Sequence, residues 1–354
     1  MKHAGAKIVG IIISVVITGY NRKDYIKFAV ESVAHQTLNK ENYEVLVITN
    51  FEDEGISSIL SDSGTNYRVI IMGEESIGYY YARALDEAKG EIISFLDDDD
   101  EFVPDKLEYV ANKFLSNVDL VYLNNNMEII DETGERKEIL ERDFRFNTRR
   151  KSEFYFRKHN MKECYKALRE LGNFCASNIS IRKKILDGNL DDLRKIVAAT
   201  DDSFFFRALF HGGTMLISEK KLTKYRIHRR NTSTGFALEF YERLRLMNKD
   251  VTRAIDSLST MLSVHTQNVD GEVLRCLEAQ LLYFQILKFF SSTGNNRIKM
   301  SKVLVKYVKL SPWRLSSSHF RALAISIIYL VNPQLSKLMY RYFGLISNSR
   351  SFAQ

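Results

Sequence analysis

The chain of 354 residues is poor in cysteine and in proline, with three of each. Cys164, Cys175 and Cys276 lie far apart and form no CxxC pair, so neither a disulfide framework nor a cysteine zinc site is expected. We expect buried free thiols and a reducing, cytoplasmic location. The scarcity of proline also excludes long Pro-rich linkers.

A long hydrophobic run is missing as well. The apolar segment Ile8–Ile17 follows Lys2 and Lys7, but no small-residue cleavage site comes after it, as it would in a signal peptide. Its ten residues are too few for a membrane-spanning helix. A buried parallel strand is therefore the better interpretation.

Acidic residues are absent from the C-terminal end of the chain. No Asp or Glu follows Glu278, whereas residues 292–354 contain ten Lys and Arg. Because the formal net charge of the chain is +7, the remainder is net acidic, and the basic tail predicts an anionic surface as a partner. The apolar segment Phe320–Val331 in this tail fits either a core helix or an amphipathic helix lying in a membrane surface.

The N-terminal part of the chain alternates between strand and helix patterns. The predicted strands are Ile8–Ile17, Tyr43–Ile48, Tyr67–Met72, Glu91–Leu96, Asp119–Leu123, Ser177–Ile181 and Met215–Ile217. The predicted helices are Asp24–Gln36, Gly55–Leu60, Ile77–Lys89, Pro104–Phe114 and Asp201–Phe210. This order predicts a mostly parallel sheet with helices on both faces, in which ligands bind beyond the carboxyl ends of the strands. After Gly235 the pattern is helical.

Five consecutive acids, Asp97 to Glu101, follow the buried strand pattern Ile92–Leu96. Carboxylates this close raise one another's pKa unless a cation lies among them. Hard oxygen ligands suit Mg²⁺ or Mn²⁺, which in turn binds a diphosphate. The alternative is an acidic run that caps the helix at Pro104. The position after a buried strand favours a metal and ligand site.

An ordered series of motifs carries a family resemblance. The motifs are Val15–Arg22, His35-Gln36-Thr37, Glu44–Ile48, Gly78, Ala82-Arg83, Ala88–Glu91, Phe95–Asp100, Pro104 and Leu107. Together they resemble a family-2 glycosyltransferase of the GT-A fold. The resemblance implies a catalytic domain at residues 1–235 and leaves a helical, basic region at residues 236–354.

The resemblance also implies roles for single residues around a nucleotide-sugar donor. Asp97 and Asp99 would form the DxD pair, with Asp99 as direct ligand of Mn²⁺ or Mg²⁺ and Asp97 near the ribose or the metal. The remaining residues implied at the donor are Thr18, Tyr20, Asn21, Thr49, Arg83 and Asp98. For Tyr20 and Asn21 alone, a turn residue and a helix cap would be the alternative.

Two positions depart from the family's pattern. Thr18 stands where the family usually has Pro, and Thr49-Asn50 replaces an acidic pair whose first member commonly binds uracil. Thr49 and Asn50 can donate or accept hydrogen bonds but carry no charge. The base of the donor therefore stays open among UDP, GDP and dTDP.

A second pair of acids, Asp201 and Asp202, opens a predicted helix. It resembles the family's acidic motif near the acceptor, which implies that Asp202 is the general base and Asp201 its neighbour. Inverting transfer needs a base to take the proton of the attacking hydroxyl. Capping of the helix by Asp201 is the alternative.

The segment Tyr225–Asn231 resembles the end of the family's catalytic domain. The resemblance implies that His228 ligates the metal or meets the diphosphate, with Arg226 or Arg229 neutralising phosphate charge. A purely structural histidine is the alternative.

The expected function is inverting, metal-assisted transfer of a sugar from a nucleotide-diphosphate sugar to a hydroxyl of a glycan or a lipid-linked saccharide. The expected location is the cytoplasm, with peripheral attachment to the inner face of the membrane. The basic, aromatic stretch Arg142–Lys158 is interpreted as an acceptor loop, and no nucleic acid is expected as a partner, since no RNA-binding motif appears.

Two other classes of function stay open. A non-catalytic membrane-surface module could retain the same fold. A sugar nucleotidyltransferase would need a Gly-rich loop after the first strand, where Thr18–Lys23 holds only Gly19.

Overall fold

The computed structural model describes residues 10–138, 150, 152–157, 175–197, 200–228, 231, 240–264, 271–292, 294–310 and 317–340. The strands are β1 (Ile13–Gly19), β2 (Tyr43–Thr49), β3 (Asn66–Ile71), β4 (Ile92–Asp97), β5 (Glu101–Phe102), β6 (Leu120–Ile130), β7 (Phe154–Phe156), β8 (Ile179–Arg182) and β9 (Thr214–Arg226). The helices are α1 (Ile26–Ala34), α2 (Glu54–Asp62), α3 (Ile77–Glu87), α4 (Lys106–Ser116), α5 (Leu190–Arg194), α6 (Thr200–His211), α7 (Phe240–Val264), α8 (Gly271–Ser291), α9 (Arg297–Leu310) and α10 (Ser317–Val331).

Within this described part, the strands form one nine-stranded sheet of order β3-β2-β1-β4-β8-β6-β9-β5, with β7 paired beside β9. The first four strands of this order are parallel to one another. Beyond β4 the pairing is mixed, because β8 runs antiparallel to both β4 and β6. The predicted α/β sheet is therefore confirmed, and its parallel part is the half that carries the acid run.

Both faces of the sheet are covered by helices. Val16 and Phe95 pack with α3 and α6 on one face, whereas Val15 and Ile17 pack with α1 and α4 on the other. Successive side chains of a strand point to opposite faces, which is why the fully buried run of β1 serves both cores.

Two strands extend well past their predicted ends. The predictions Asp119–Leu123 and Met215–Ile217 correspond to β6 and β9, which have 11 and 13 residues. They pair in parallel with three register shifts. These irregularities break the two-residue alternation of apolar side chains on which the sequence prediction depends.

The C-terminal helices join the sheet through a shared core. Leu258 and Met261 of α7 and Val273 of α8 lie in the same apolar cluster as Val16 and Phe95. Further along the chain, α8, α9 and α10 form a second cluster that includes Ile286, Met300 and Ile325. The division of the chain after residue 235 stays a prediction.

The cysteines differ in state. Cys175 is a buried free thiol, whereas Cys276 is disulfide-bonded. The expectation of free thiols is therefore wrong for Cys276. A single bridge of this kind needs only two thiols brought close by folding, which wide sequence spacing does not exclude.

No helix in the described part of the chain is long and apolar enough to cross a membrane.

Candidate active site

The carboxyl ends of three parallel strands bring the predicted donor residues to one edge of the sheet. Thr18 of β1 lies beside Asp97 of β4, and Gly19 lies beside Thr49 of β2. The Tyr81 hydroxyl, on α3, donates to Asp97 Oδ1 over 3.5 Å. Because β1, β2 and β4 run parallel, residues more than 70 positions apart in sequence become neighbours here.

The acid run turns inward between β4 and β5. Asp98, Asp99 and Asp100 are all buried. Burial, and next the charge of Asp99, raises the pKa of Asp98 and of Asp100 to about 7. Burial and the charge of Asp100 raise the pKa of Asp97 well above its ordinary value. Three neighbouring acids thus resist ionisation, as expected where a cation is needed to compensate their charge.

Asp99 is the exception within the run. Burial acts to raise its pKa, but a hydrogen bond from His228 and the charge of Arg22 outweigh this effect and hold the pKa below its usual value. His228 Nε2 lies 3.0 Å from Asp99 Oδ2. Arg22 Nη1 lies 2.6 Å from the same oxygen. Asn231 Nδ2 reaches it over 3.4 Å. Asp99 therefore ionises more readily than Asp97, Asp98 and Asp100.

The fifth acid belongs to the scaffold. Glu101 accepts a hydrogen bond from Arg226 and pairs with Lys224 at 3.2 Å. The fully buried Arg226 guanidinium also donates to the backbone oxygens of Asp99 and Asp131, each at 3.0 Å. These bonds hold the turn in place. They occupy the Arg226 guanidinium, which is therefore not available to bind a phosphate. Arg229 lies outside the described residues.

The predicted metal ligands Asp97, Asp99 and His228 are divided between two neighbouring groups, the second of which also contains the unpredicted Asp100 and Cys175. Asp99 and His228 form one pair. Asp97, Asp100 and the Cys175 thiol form another, with one ligand atom of each within 4.8 Å of the others. Among the described residues no Lys or Arg pairs with Asp97 or Asp100. Carboxylate oxygens and an imidazole suit Mn²⁺ or Mg²⁺, so the residues present fit a divalent cation.

The loop after β1 is held by reciprocal amide bonds. The Asn21 backbone N–H donates to Asn50 Oδ1 at 2.9 Å, and Asn50 Nδ2 donates to Asn21 Oδ1 at 2.7 Å. Asn21 has a φ of 56°, a left-handed conformation that asparagine tolerates better than most residues. Tyr20, 41% exposed, lies edge-on to Tyr80 with ring centroids 6.0 Å apart.

Two predicted donor residues are engaged elsewhere. Thr49 is fully buried and its hydroxyl donates to the Phe51 oxygen at 2.6 Å. Arg83 forms an ion pair with Glu87 at 2.5 Å, one turn further along α3. Glu87 also pairs with Arg68, which binds Glu44 near the start of β2. The structure thus places Arg83 toward the opposite edge of the sheet and does not bring it to the acid run.

The second acid pair lies at the first turn of α6. Phe204 stacks on Phe95 with ring centroids 4.2 Å apart, which fixes the start of this helix over the end of β4. Burial raises the pKa of Asp201, and burial together with Asp201 raises the pKa of Asp202 well above its ordinary value. The charge of Asp201 contributes to raising the pKa values of Tyr81 and Cys175. Asp201 is therefore electrostatically coupled to groups beside the acid run.

The sequence prediction missed several residues at this site. Asn231, Cys175 and Arg22 approach the acid run from other parts of the chain. Arg22 belongs to a motif quoted for the family resemblance, but no periodicity indicates that its side chain turns toward the acids. Only the tertiary fold brings these residues together.

Comparison with known proteins finds relatives of this chain among glycosyltransferases. Residues 14–187 match the model of glycosyl transferase family 2. An uncharacterized glycosyltransferase of Rickettsia bellii is 34% identical over 130 residues, which are 36% of this chain and 18% of that protein. The putative glycosyltransferase EpsH of Bacillus subtilis is 24% identical over 221 residues, 61% of each chain. The chain thus spans less than two thirds of these relatives.

Solved structures show the same fold. TarS 1–349 of S. aureus, in complex with UDP-GlcNAc, has a TM-score of 0.60 at 15% identity, over 94% of this chain and 92% of that one. The mannosyltransferase PcManGT of Pyrobaculum calidifontis, with GDP-Man and Mn²⁺, has a TM-score of 0.53 at 12% identity, over 93% and 87%. The expected GT-A-type fold is confirmed, and residues 14–187, just under half of the chain, carry the match to glycosyl transferase family 2.

Proposed function

We propose that this protein transfers a sugar from a nucleotide-diphosphate sugar to a hydroxyl acceptor, with inversion at the anomeric carbon. The observation that carries the proposal is the joint position of two acid pairs. Asp97 ends β4 and Asp99 follows it by two residues. Asp201 and Asp202 lie in the first turn of α6, which the stacking of Phe204 on Phe95 ties to β4. One pair suits a metal-bound diphosphate, and the other suits removal of a proton.

The donor would lie along the edge formed by β1, β2 and β4. Tyr20 is exposed there for contact with the base, and the Asn21–Asn50 pair offers amide groups beside it. TarS was solved with UDP-GlcNAc and PcManGT with GDP-Man, so proteins of this fold bind donors with either uracil or guanine as the base. Since Thr49 is fully buried and Asn50 is partly exposed, Asn50 is the better candidate for contact with the base.

Asp99 and His228 would hold a Mn²⁺ or Mg²⁺ ion, with Asp97 beside them. When bound, the cation neutralises charge on the departing diphosphate. Asp202 takes the proton as the acceptor oxygen forms its bond to the anomeric carbon and the bond to the diphosphate oxygen breaks. Its raised pKa makes Asp202 a stronger base than an ordinary carboxylate. Asp201 helps to position Asp202, because its Oδ1 accepts a hydrogen bond from the Asp202 backbone N–H at 3.1 Å.

A panel of UDP-, GDP- and dTDP-sugars tests this proposal. Each is added with and without Mn²⁺, and stabilisation against heat and hydrolysis of the donor are measured. A ligand at 100 times its dissociation constant stabilises the protein by about 2.7 kcal/mol. Mn²⁺-dependent stabilisation with hydrolysis supports the enzyme. Stabilisation without turnover on any acceptor or water favours the alternative, a non-catalytic module with the same fold.

We further propose that an anionic membrane surface is a partner and that the acceptor is a glycan or a lipid-linked saccharide at the cytoplasmic face. Two features of the tail support this. Lys302, Lys306 and Lys309 lie exposed on α9 beside exposed Val305 and Val308. Ile327 and Val331 of α10 are also exposed, although Ala322, Ile325 and Tyr329 of the same helix pack in the core. The helix therefore packs through one face and leaves another free.

A further inference from the structure

Arg22 reaches into the acid run from the loop after β1. Its Nη1 lies 2.6 Å from Asp99 Oδ2. Its Nε donates to Asp98 Oδ2 at 3.3 Å, and its Nη2 forms a second bond to Asp98 Oδ1. The side chain is 19% exposed, so this guanidinium is largely withdrawn from water. One guanidinium thus contacts two adjacent acids.

The oxygen that Arg22 contacts is also the one that faces His228. Asp99 Oδ2 lies within hydrogen-bond distance of Arg22 Nη1, His228 Nε2 and Asn231 Nδ2. A divalent ion held by Asp99 and His228 would need this same oxygen. A guanidinium and a divalent ion repel each other and cannot share that position.

The backbone beneath Arg22 is fixed, which restricts any movement to its side chain. The preceding residue, Asn21, is tied to Asn50 by two hydrogen bonds. The following residue, Lys23, donates from Nζ to the Glu52 oxygen at 3.1 Å. Rotation about the side-chain bonds of Arg22 can therefore clear the acids without unfolding the loop.

We propose that Arg22 occupies the place of the metal ion in the donor-free protein and couples metal entry to arrival of the diphosphate. This inference rests on the proposed function. A divalent ion alone must displace the guanidinium from Asp99, and among the described residues Asp98 is then the only acid that it still contacts. An arriving diphosphate offers another anion, since guanidinium groups bind phosphate oxygens in a two-pronged geometry. Metal and nucleotide therefore bind cooperatively, and each strengthens the other equally.

Titration calorimetry of the full chain with Mn²⁺ tests this, first without nucleotide and then with UDP or GDP. Without nucleotide, Arg22→Gln is expected to bind Mn²⁺ at least tenfold more tightly than the original protein. Arg22→Lys keeps the positive charge but lacks the two-pronged guanidinium. Its Mn²⁺ affinity is therefore expected to lie between those of Arg22→Gln and the original protein. With nucleotide present, the advantage of Arg22→Gln should shrink.

Arg68→Gln is the matched control, because Arg68 also bridges two carboxylates, Glu44 and Glu87, on another part of the sheet. Its Mn²⁺ affinity should equal that of the original protein. Equal nucleotide-free affinities of Arg22→Gln and the original protein would overturn the role of Arg22 and leave the metal site standing, provided that Mn²⁺ still binds with nucleotide. Equal Mn²⁺ affinities of Arg22→Lys and the original protein would also overturn the role of Arg22. This comparison provides the test in the event that Arg22→Gln does not fold. Absence of Mn²⁺ binding in every variant, with either nucleotide, would overturn both the role and the metal site.

Discussion

Asp99 differs from its neighbours because three side chains from distant parts of the sequence converge on one of its oxygens. At the scale of single residues, this convergence makes Asp99 the carboxylate best prepared to hold a cation. The other acids gain from a bound cation mainly through relief of their mutual repulsion.

Replacing Asp99 should separate nucleotide binding from the metal. In Asp99→Ala the ion loses its ionised ligand, so we expect transfer to be abolished and nucleotide binding to lose its dependence on Mn²⁺. Calorimetric titration of UDP and GDP with and without Mn²⁺ measures this. Asp62→Ala, at an exposed position at the end of α2, is the control. Unchanged, still Mn²⁺-dependent binding by Asp99→Ala would contradict the assignment.

Replacing Asp202 should remove the base and leave the donor site intact. We expect Asp202→Asn to bind donor normally and to lose transfer by about 100-fold or more. Only the ionised carboxylate can accept a proton, so the rate in the original protein should rise with pH through the raised pKa of Asp202. This acid limb should vanish in Asp202→Asn. Near-normal transfer by Asp202→Asn together with an inactive Asp201→Asn would show that Asp201 is the base.

The raised pKa values of the acid run should appear in the stability of the metal-free protein. Between about pH 4 and 7 the folded state keeps protons on Asp98 and Asp100 that the unfolded state releases. Rising pH therefore lowers the free energy of unfolding, by up to about 1.4 kcal/mol per pH unit for each group. Asp100→Asn should make this slope shallower. Urea unfolding in EDTA at several pH values measures it, and identical slopes in both proteins would contradict the prediction.

At the scale of elements, the start of α3 depends on a close backbone approach. A Cβ at Gly78 would lie 2.0 Å from the Leu193 oxygen and 2.5 Å from the Ile196 oxygen. Both contacts are to backbone, which cannot rotate away. The same helix carries Tyr81, which contacts Asp97 at the acid run. The position of α3 therefore links the segment after α5 to the donor edge.

Substitution of Gly78 should disturb both stability and donor binding. We expect Gly78→Ala to lower the free energy of unfolding by about 1–3 kcal/mol, since the added methyl group forces backbone apart. Nucleotide affinity should fall as well, because α3 moves with Tyr81. Gly73→Ala is the control, as nothing lies within 4 Å of its added Cβ. Equal urea-unfolding midpoints of the two variants would contradict the close contact.

The elements of the first half of the chain could be predicted because each is defined by its own periodicity. The predicted Tyr43–Ile48 and Ile77–Lys89 correspond to Tyr43–Thr49 and Ile77–Glu87. The short strands β5 and β7 could not be predicted, because they consist of two and three residues and exist only through their pairing with β9. Long-range hydrogen bonds of this kind leave no local pattern in the sequence.

The candidate site divides in the same way. The acids of β4 and α6 could be located from their position after a strand and at a helix start. Among the partners of Asp99, the family resemblance implies His228 at the metal, but Arg22 and Asn231 could not be assigned to it, since they reach Asp99 only after folding. Arg83 illustrates the converse, because a local carboxylate four residues away pairs with the side chain that the family resemblance assigns to the nucleotide.

At the scale of the whole molecule, the ten basic residues of the tail are not equivalent. Lys337 is buried and donates from Nζ to the Gly294 and Asn295 oxygens, each at 2.8 Å. Lys306 pairs with Glu278. Lys302 and Lys309 are exposed on the same helix. These two, together with the exposed Arg297 and Lys299 at the start of α9, are candidates for contact with anionic lipid.

Charge reversal on α9 should weaken binding to anionic vesicles. Each Lys or Arg near such a surface contributes about 1 kcal/mol, and salt screens the attraction. We expect the intact protein to co-sediment with anionic vesicles at low salt, and the double variant Lys302→Glu, Lys309→Glu to bind at least tenfold more weakly. Lys89→Glu with Lys184→Glu, two exposed lysines of the catalytic part, is the matched control. An intact protein that ignores anionic vesicles at low salt would contradict the proposal.

Helix α8 belongs to two cores at once. Val273 and Leu277 near its start pack with the sheet, and Ile286 and Phe290 near its end pack with α9 and α10. A continuous helix of 21 residues spans about 32 Å and does not bend like a linker. If the C-terminal helices lay on a bilayer, this rigid helix would fix the distance between the acid run and the lipid surface. An acceptor would then be selected by how far its reactive hydroxyl stands above the lipid, as well as by its chemistry.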